Sequence, residues 1–284
     1  SDRLATAIAV SQAEYPPAGA LAVVLARGDD YPDALVGAPL AVAKQAPLLL
    51  TVGDSLPTAT LAEIERVLSP GKTVYILGGT SAVPAGVESQ LTGAGYQVTR
   101  YAGSSRFATA VKVADALGDP GTVLLATGVN FPDALSAGVA AVKAGGVVLL
   151  TNGSALPQET QNYLAAHPGT VYAVGGPAAS ADPSATAIAG ADRYQTAVDV
   201  AQRFFTVPIT IGLATGLAFP DALAGGTLLG DDHAPLILVA SDSVPSSVTG
   251  YLTSVKASVT RAFLFGGTNT VSAATESAIN VALG

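Results

Sequence analysis

Cysteine, methionine and tryptophan are absent from all 284 residues. Without cysteine there is no disulfide scaffold, no thiolate metal site and no cysteine nucleophile. Loss of both oxidisable sulfur side chains suits an extracellular setting, although an Ala/Val-biased genome would leave the same mark. Histidine occurs twice, as His167 and His233. Two isolated histidines offer no triad, zinc set or nucleophile–base pair, so catalysis within the chain is not expected. Charge is also sparse: 12% of residues are charged, and 13 Lys and Arg face 21 Asp and Glu for a net −8. No basic block occurs, which disfavours nucleic acid as a partner. The same sign opposes simple charge-driven capture of an anionic polymer. No apolar run reaches the ~18 residues that would cross a membrane, so no membrane insertion is expected. Neither a signal nor a transit peptide opens the sequence, and Ser1-Asp2-Arg3 already lies inside the first repeat described below; a leader cut away is the expectation.

What is present is repetition. Arg3-Leu4-Ala5-Thr6-Ala7 returns as Arg106-Phe107-Ala108-Thr109-Ala110 and as Arg193-Tyr194-Gln195-Thr196-Ala197. About 28 residues on come Tyr31-Pro32-Asp33-Ala34-Leu35, Phe131-Pro132-Asp133-Ala134-Leu135 and Phe219-Pro220-Asp221-Ala222-Leu223. Each Asp stands 18 positions before the end of an apolar run, at Thr51, Thr151 and Val239. Leu56-Pro57, Leu156-Pro157 and Val244-Pro245 follow, and then a second apolar run closing on Gly78-Gly79, Gly175-Gly176 and Gly266-Gly267. The same landmarks in the same order place three units at 1–101, 102–188 and 189–284.

Within a unit the periodicity alternates. Leu4, Ala7, Ile8 and Ala13 recur at helical spacing, whereas Leu21–Ala26 is a continuous apolar run, as in a strand covered on both faces. Pro32 suits the first turn of a helix, Asp33 complements its dipole, and the helix is predicted to run to about Lys44. Leu48–Leu50, Thr73–Leu77 and Gln97–Tyr101 are predicted strands. Helices from Pro57 and Pro84 are predicted to separate them. Such alternation implies a parallel sheet with helices on both faces, an α/β unit of Rossmann-like or flavodoxin-like kind. The copies differ. The short span from Gly175 to Arg193 predicts a curtailed last helix in the second unit, the third unit ends without a final strand, and the first lacks the strand that should precede Asp2.

These landmarks resemble the cell wall binding repeat 2 family. The resemblance rests on Ala189-Gly190-Ala191-Asp192-Arg193-Tyr194-Gln195-Thr196-Ala197, on Ala126-Thr127-Gly128-Val129-Asn130-Phe131-Pro132-Asp133-Ala134-Leu135 and on Val174-Gly175-Gly176. It spans essentially the whole chain. It implies a pseudo-threefold, non-catalytic module of the bacterial cell surface, holding its host non-covalently to an anionic secondary wall polymer. That polymer would be teichoic-acid-like or another polysaccharide, and any enzymatic or adhesive activity would sit in another domain. A structural or protein-interaction module of a surface assembly is the alternative, and an enzyme with an unfamiliar small-molecule site a third. The first unit departs from the pattern at Arg27-Gly28-Asp29, the second at Val147 and at Ser105 before Arg106. Arg27-Gly28-Asp29 matches an integrin-binding tripeptide, but its place in the repeat makes it ordinary loop variation.

Arg3, Arg106 and Arg193 read in two ways: as cations for phosphate or carboxylate groups of a polymer, or as partners of Asp33, Asp133 and Asp221 that fix the loop after the first strand. Gly78-Gly79, Gly175-Gly176 and Gly266-Gly267 offer amides to an anion or simply turn the chain. Neither a G-x-G-x-x-G nor a P-loop motif occurs, so no nucleotide cofactor is expected. By resemblance, the loops after the second strands, carrying Thr51, Thr151 and Ser241, are the preferred polymer contacts. Asp231-Asp232-His233 has no counterpart in the other units and reads as a solvated loop rather than a metal site.

Overall fold

A computed structural model describes residues 2–284. The first unit runs α1 (Arg3–Glu14), β1 (Ala22–Arg27), a 3-10 turn (Ala34–Val36), α2 (Gly37–Ala43), β2 (Leu48–Thr51), α3 (Thr58–Val67), β3 (Thr73–Leu77), α4 (Ala85–Gly93) and β4 (Gln97–Tyr101). The second comprises α5 (Arg106–Leu117), β5 (Thr122–Thr127), α6 (Pro132–Lys143), β6 (Val147–Thr151), α7 (Gln158–Ala166), β7 (Thr170–Val174), α8 (Gly176–Ala181) and β8 (Thr186–Ile188). The third holds α9 (Arg193–Phe204), β9 (Thr210–Thr215), α10 (Pro220–Asp231), β10 (Leu236–Val239), α11 (Ser246–Val255), β11 (Arg261–Phe265) and α12 (Ala273–Leu283).

All three sheets are parallel, with orders β2-β1-β3-β4, β6-β5-β7-β8 and β10-β9-β11. Among the described residues the third sheet has three strands, without the fourth, as the sequence predicts. In each sheet the chain steps outward from the first strand and then reverses across it, so the ends of the first and third strands form a topological switch point. The predicted helix from Pro32 begins late in the first unit. The chain there makes the 3-10 turn and then α2, while α6 and α10 start at Pro132 and Pro220. Pro39 is the cause. A proline that far into a helix starting at Pro32 would lack an amide to donate and would crowd the carbonyl four residues back, so the helix restarts where Pro39 falls in its first turn.

α2, α6 and α10 pack on one another about a pseudo-threefold axis. At one end Tyr31, Phe131 and Phe219 form a triangle of rings with centroids 5.6–5.9 Å apart, tilted or edge to face. Deeper along the axis stand Ala38, Gly138 and Gly226, then Val42, Val142 and Gly230. A Cβ on Gly138 would lie 3.6 Å from that of Ala38, and one on Gly230 only 2.7 Å from Val42 Cγ2. Small residues thus set how closely the helices approach. The ring closes through the first helix of each unit. α5 packs on β6 of its own sheet and on α2 of the first unit, α9 on β10 and α6, and α1 on β2 and α10.

Candidate functional site

Arg3, Arg106 and Arg193 open α1, α5 and α9, each just after an N-cap: Asp2, Ser105 or Asp192. Each guanidinium reaches the turn after the first strand of its own sheet. Arg3 Nη1 donates to Gly28 O at 2.6 Å, Arg106 Nη1 to Gly128 O at 2.6 Å, and Arg193 Nη1 to Gly216 O at 2.5 Å. Fixing of that loop was one sequence expectation, but the partner differs. Among the described residues no ion pair joins these arginines to Asp33, Asp133 or Asp221. The acceptor is a main-chain carbonyl of the same unit rather than a carboxylate.

Each aspartate leans over the glycine that ends the third strand of its sheet. A Cβ on Gly78, Gly175 or Gly266 would collide with a carboxylate oxygen of Asp33, Asp133 or Asp221, and all three glycines have positive φ, at 100°, 86° and 112°. The first glycine of each pair is thus required twice over, by dihedral and by contact. The second, Gly79 or Gly176, has nothing within 4 Å of the place a Cβ would take, and both line clefts; Gly267 directly follows Gly266.

Across each seam between consecutive units the aspartate meets the next unit's arginine. A cleft of about 280 Å³ is lined by Asp30, Asp33, Gly79 and Ser81 from one side and by Ser104 and Arg106 from the other. Its counterpart, about 290 Å³, is lined by Asn130, Asp133 and Gly176 facing Ala191, Arg193 and Thr196. Both lie at switch points, where β1 meets β3 and β5 meets β7. Burial raises the Asp33 carboxyl above the usual carboxylate range, against the opposing Thr109 hydroxyl and Arg106 charge. Burial likewise pushes Asp133 up to about 6, opposed by Arg193. Thr109 and Thr196 also accept from the amides of Gly103 and Gly190, which shapes the far wall. Of the donors on Arg106 and Arg193, only Nη1 has a protein acceptor among the described residues. Each cleft therefore presents unspent guanidinium donors, hydroxyls and a glycine turn next to a carboxyl whose charged form is disfavoured by burial. That set suits a hydroxyl-rich anion and contains no nucleophile with an adjacent base.

The loops after the second strands fit contact less well. Thr51 and Thr151 are buried (1% and 0% exposed); the Thr51 hydroxyl has no partner among the described residues, and that of Thr151 donates to Gly153 O at 2.8 Å. These side chains turn inward because they belong to the last strand positions, paired with β1 and β5. Ser241 is half-buried, with its hydroxyl 3.2 Å from that of Thr215. Arg27 and Asp29 bind each other. Asp232 pairs with Arg261. Among the described residues no group of three or more His, Asp or Glu could hold a metal ion.

The model of cell wall binding domain 2 (CWB2) matches residues 1–88, 100–183 and 187–276. The chain is 32% identical over 251 residues to the N-acetylmuramoyl-L-alanine amidase LytC of Bacillus subtilis (strain 168), covering 86% of this chain and 50% of that protein. It is 26% identical over 260 residues to the amidase enhancer of the same organism, covering 90% of this chain and 36% of that protein. Cwp8 from Clostridium difficile superposes with a TM-score of 0.89 at 27% identity, over 100% of this chain and 50% of that one. Cwp6 from the same organism does so at 0.86 and 24%, over 100% and 47%, a likeness of fold. The chain thus spans half or less of the length of these relatives. With three ordered copies of the motif and three matched segments, the chain belongs to the cell wall binding domain 2 family.

Proposed function

We propose that the chain is a non-catalytic module that anchors a bacterial surface protein to an anionic secondary polymer of the cell wall, teichoic-acid-like or another polysaccharide, through the clefts between its units. Units bounded at 101/102 and 188/189 each contribute one wall of a cleft. The observation that carries this reading is the recurrence of one constellation at two seams: Arg106 with Asp33 and Gly79, and Arg193 with Asp133 and Gly176. Repeated polar clefts suit a repeating ligand, because a polymer held at one cleft is at high local concentration for the next. The net charge of −8 makes this local presentation necessary, since the chain as a whole repels anions. Membership of the family and the likeness to Cwp8 support a place at the cell surface.

Sedimentation with purified walls tests the reading. The chain is expected to pellet with intact walls and to remain in solution with walls stripped of their secondary polymer. Equal binding to stripped walls would count against it. Repeating the assay with a chelator separates direct recognition by arginine from bridging by divalent cations, and direct recognition is expected to survive.

A further inference from the structure

The seam between the third and first units departs from the other two. There the end of α1 meets the end of α10, bringing Glu14 and Asp231 together. Thr227 Oγ1 donates to Glu14 Oε2 at 3.3 Å, Tyr15 Oη donates to Asp231 Oδ2 at 3.4 Å, and Glu14 Oε1 is buried with no donor to meet it among the described residues. In the register of the repeat, Glu14 corresponds to Leu117 and Phe204, and Asp231 to Ala43 and Lys143. Two acids therefore face each other at a place where the other seams put an apolar side chain on the first helix.

We infer that Glu14 and Asp231 form a carboxyl–carboxylate pair sharing one proton, and that this pair makes closure of the ring between the third and first units proton-dependent. With the proton in place, the buried Glu14 oxygen has its partner; with both acids ionised, the charge on half-buried Glu14 stands against the like charge of the exposed Asp231. The charged neighbours do not offset this. Asp232 is paired with Arg261 from β11, and Arg66 from α3 is paired with Glu63 and donates to Tyr15 O at 3.0 Å. Next to α10, Lys44 after α2 lies over the Tyr75 ring at 5.7 Å, and Lys143 ends α6. His233 follows Asp232 in a left-handed turn, φ 51°. Burial and the neighbouring Asp231 carry the Glu14 carboxyl up to about 9.

A folded-state value above the unfolded one gives stability that is complete below the unfolded value of 4.5 and is lost as pH rises towards about 9. Thermal unfolding of the whole chain from pH 5 to pH 10 is the test, with Glu14→Gln alongside. The native midpoint is expected to fall relative to the variant by on the order of 5 °C between pH 5 and pH 9. Curves that stay parallel would overturn the proposal. Glu14→Leu with Asp231→Ala, which installs the pair found in register at Leu117 and Ala43, is expected to gain stability at pH 9 and none at pH 5; a loss at both would also overturn it. Amide exchange locates the effect. At pH 9 the α1 amides of the native chain are expected to exchange faster than those of Glu14→Gln while α5 is unchanged, and equal changes in α1 and α5 would contradict a device at this seam.

Discussion

At Asp133 a carboxylate, a glycine and an arginine from another unit share one corner, and each limits what the others tolerate. The Gly175 turn needs a positive φ and leaves no room for a Cβ beneath the Asp133 carboxylate. Gly175→Ala is therefore expected to cost about 2–4 kcal/mol in denaturant unfolding, with part of the loss recovered in an Asp133→Ala background because the contact term disappears. Asp133 also gives a pH signature. Its value rises from 3.8 to about 6 on folding, so its contribution is complete below 3.8 and falls away as pH climbs through about 6. Asp133→Asn is expected to flatten that part of the stability profile and to abolish any strengthening of wall binding on acidification towards pH 5. A profile unchanged by the substitution would separate Asp133 from both effects. The repeated Arg and Asp were legible as important residues, since no other charge recurs in all three units. Their partners were not. The arginine binds a carbonyl in its own unit and faces an aspartate in the preceding one, and sequence order does not say which unit lies across a seam.

Strands and helices were readable where one period held for several residues, as in Thr73–Leu77 and Gln97–Tyr101, both recovered as β3 and β4. The late start of α2 was missed because Pro32 and Pro39 both signal a helix start, and only the second can be obeyed once the chain must also make the turn at Asp33. The burial of Thr51 and Thr151 was hidden for another reason. A loop at a strand end looks available in sequence, but strand order decides which ends form a crevice, and here it is the first and third strands. Packing of α2, α6 and α10 makes a sharper demand than hydropathy shows. Gly230→Ala would place a methyl against Val42 and Val142 on the axis, and is expected to cost about 1–3 kcal/mol by overpacking. Thermal denaturation checks this, with the exposed Gly250→Ala, which meets nothing within 4 Å, as the neutral or slightly stabilising control.

For the whole molecule, closure matters as much as any unit. The first helix of each unit completes the preceding one, so the clefts exist only in the assembled ring, and an isolated second unit is expected to lack both. Three units were countable from the sequence. The two matching clefts were not, because each is built from residues some 60 to 70 positions apart that meet only through ring geometry. The most direct test fills the clefts without touching the arginines. Ser104 and Ala191 occupy equivalent exposed positions, two residues before Arg106 and Arg193, one on each rim. Calorimetric titration of solubilised wall polymer into the native chain and into Ser104→Trp/Ala191→Trp, with matched unfolding midpoints confirming the fold, gives the answer. Binding by the native chain and a loss of at least tenfold in the double variant is the expected result; undiminished affinity with both clefts filled would contradict binding between the units.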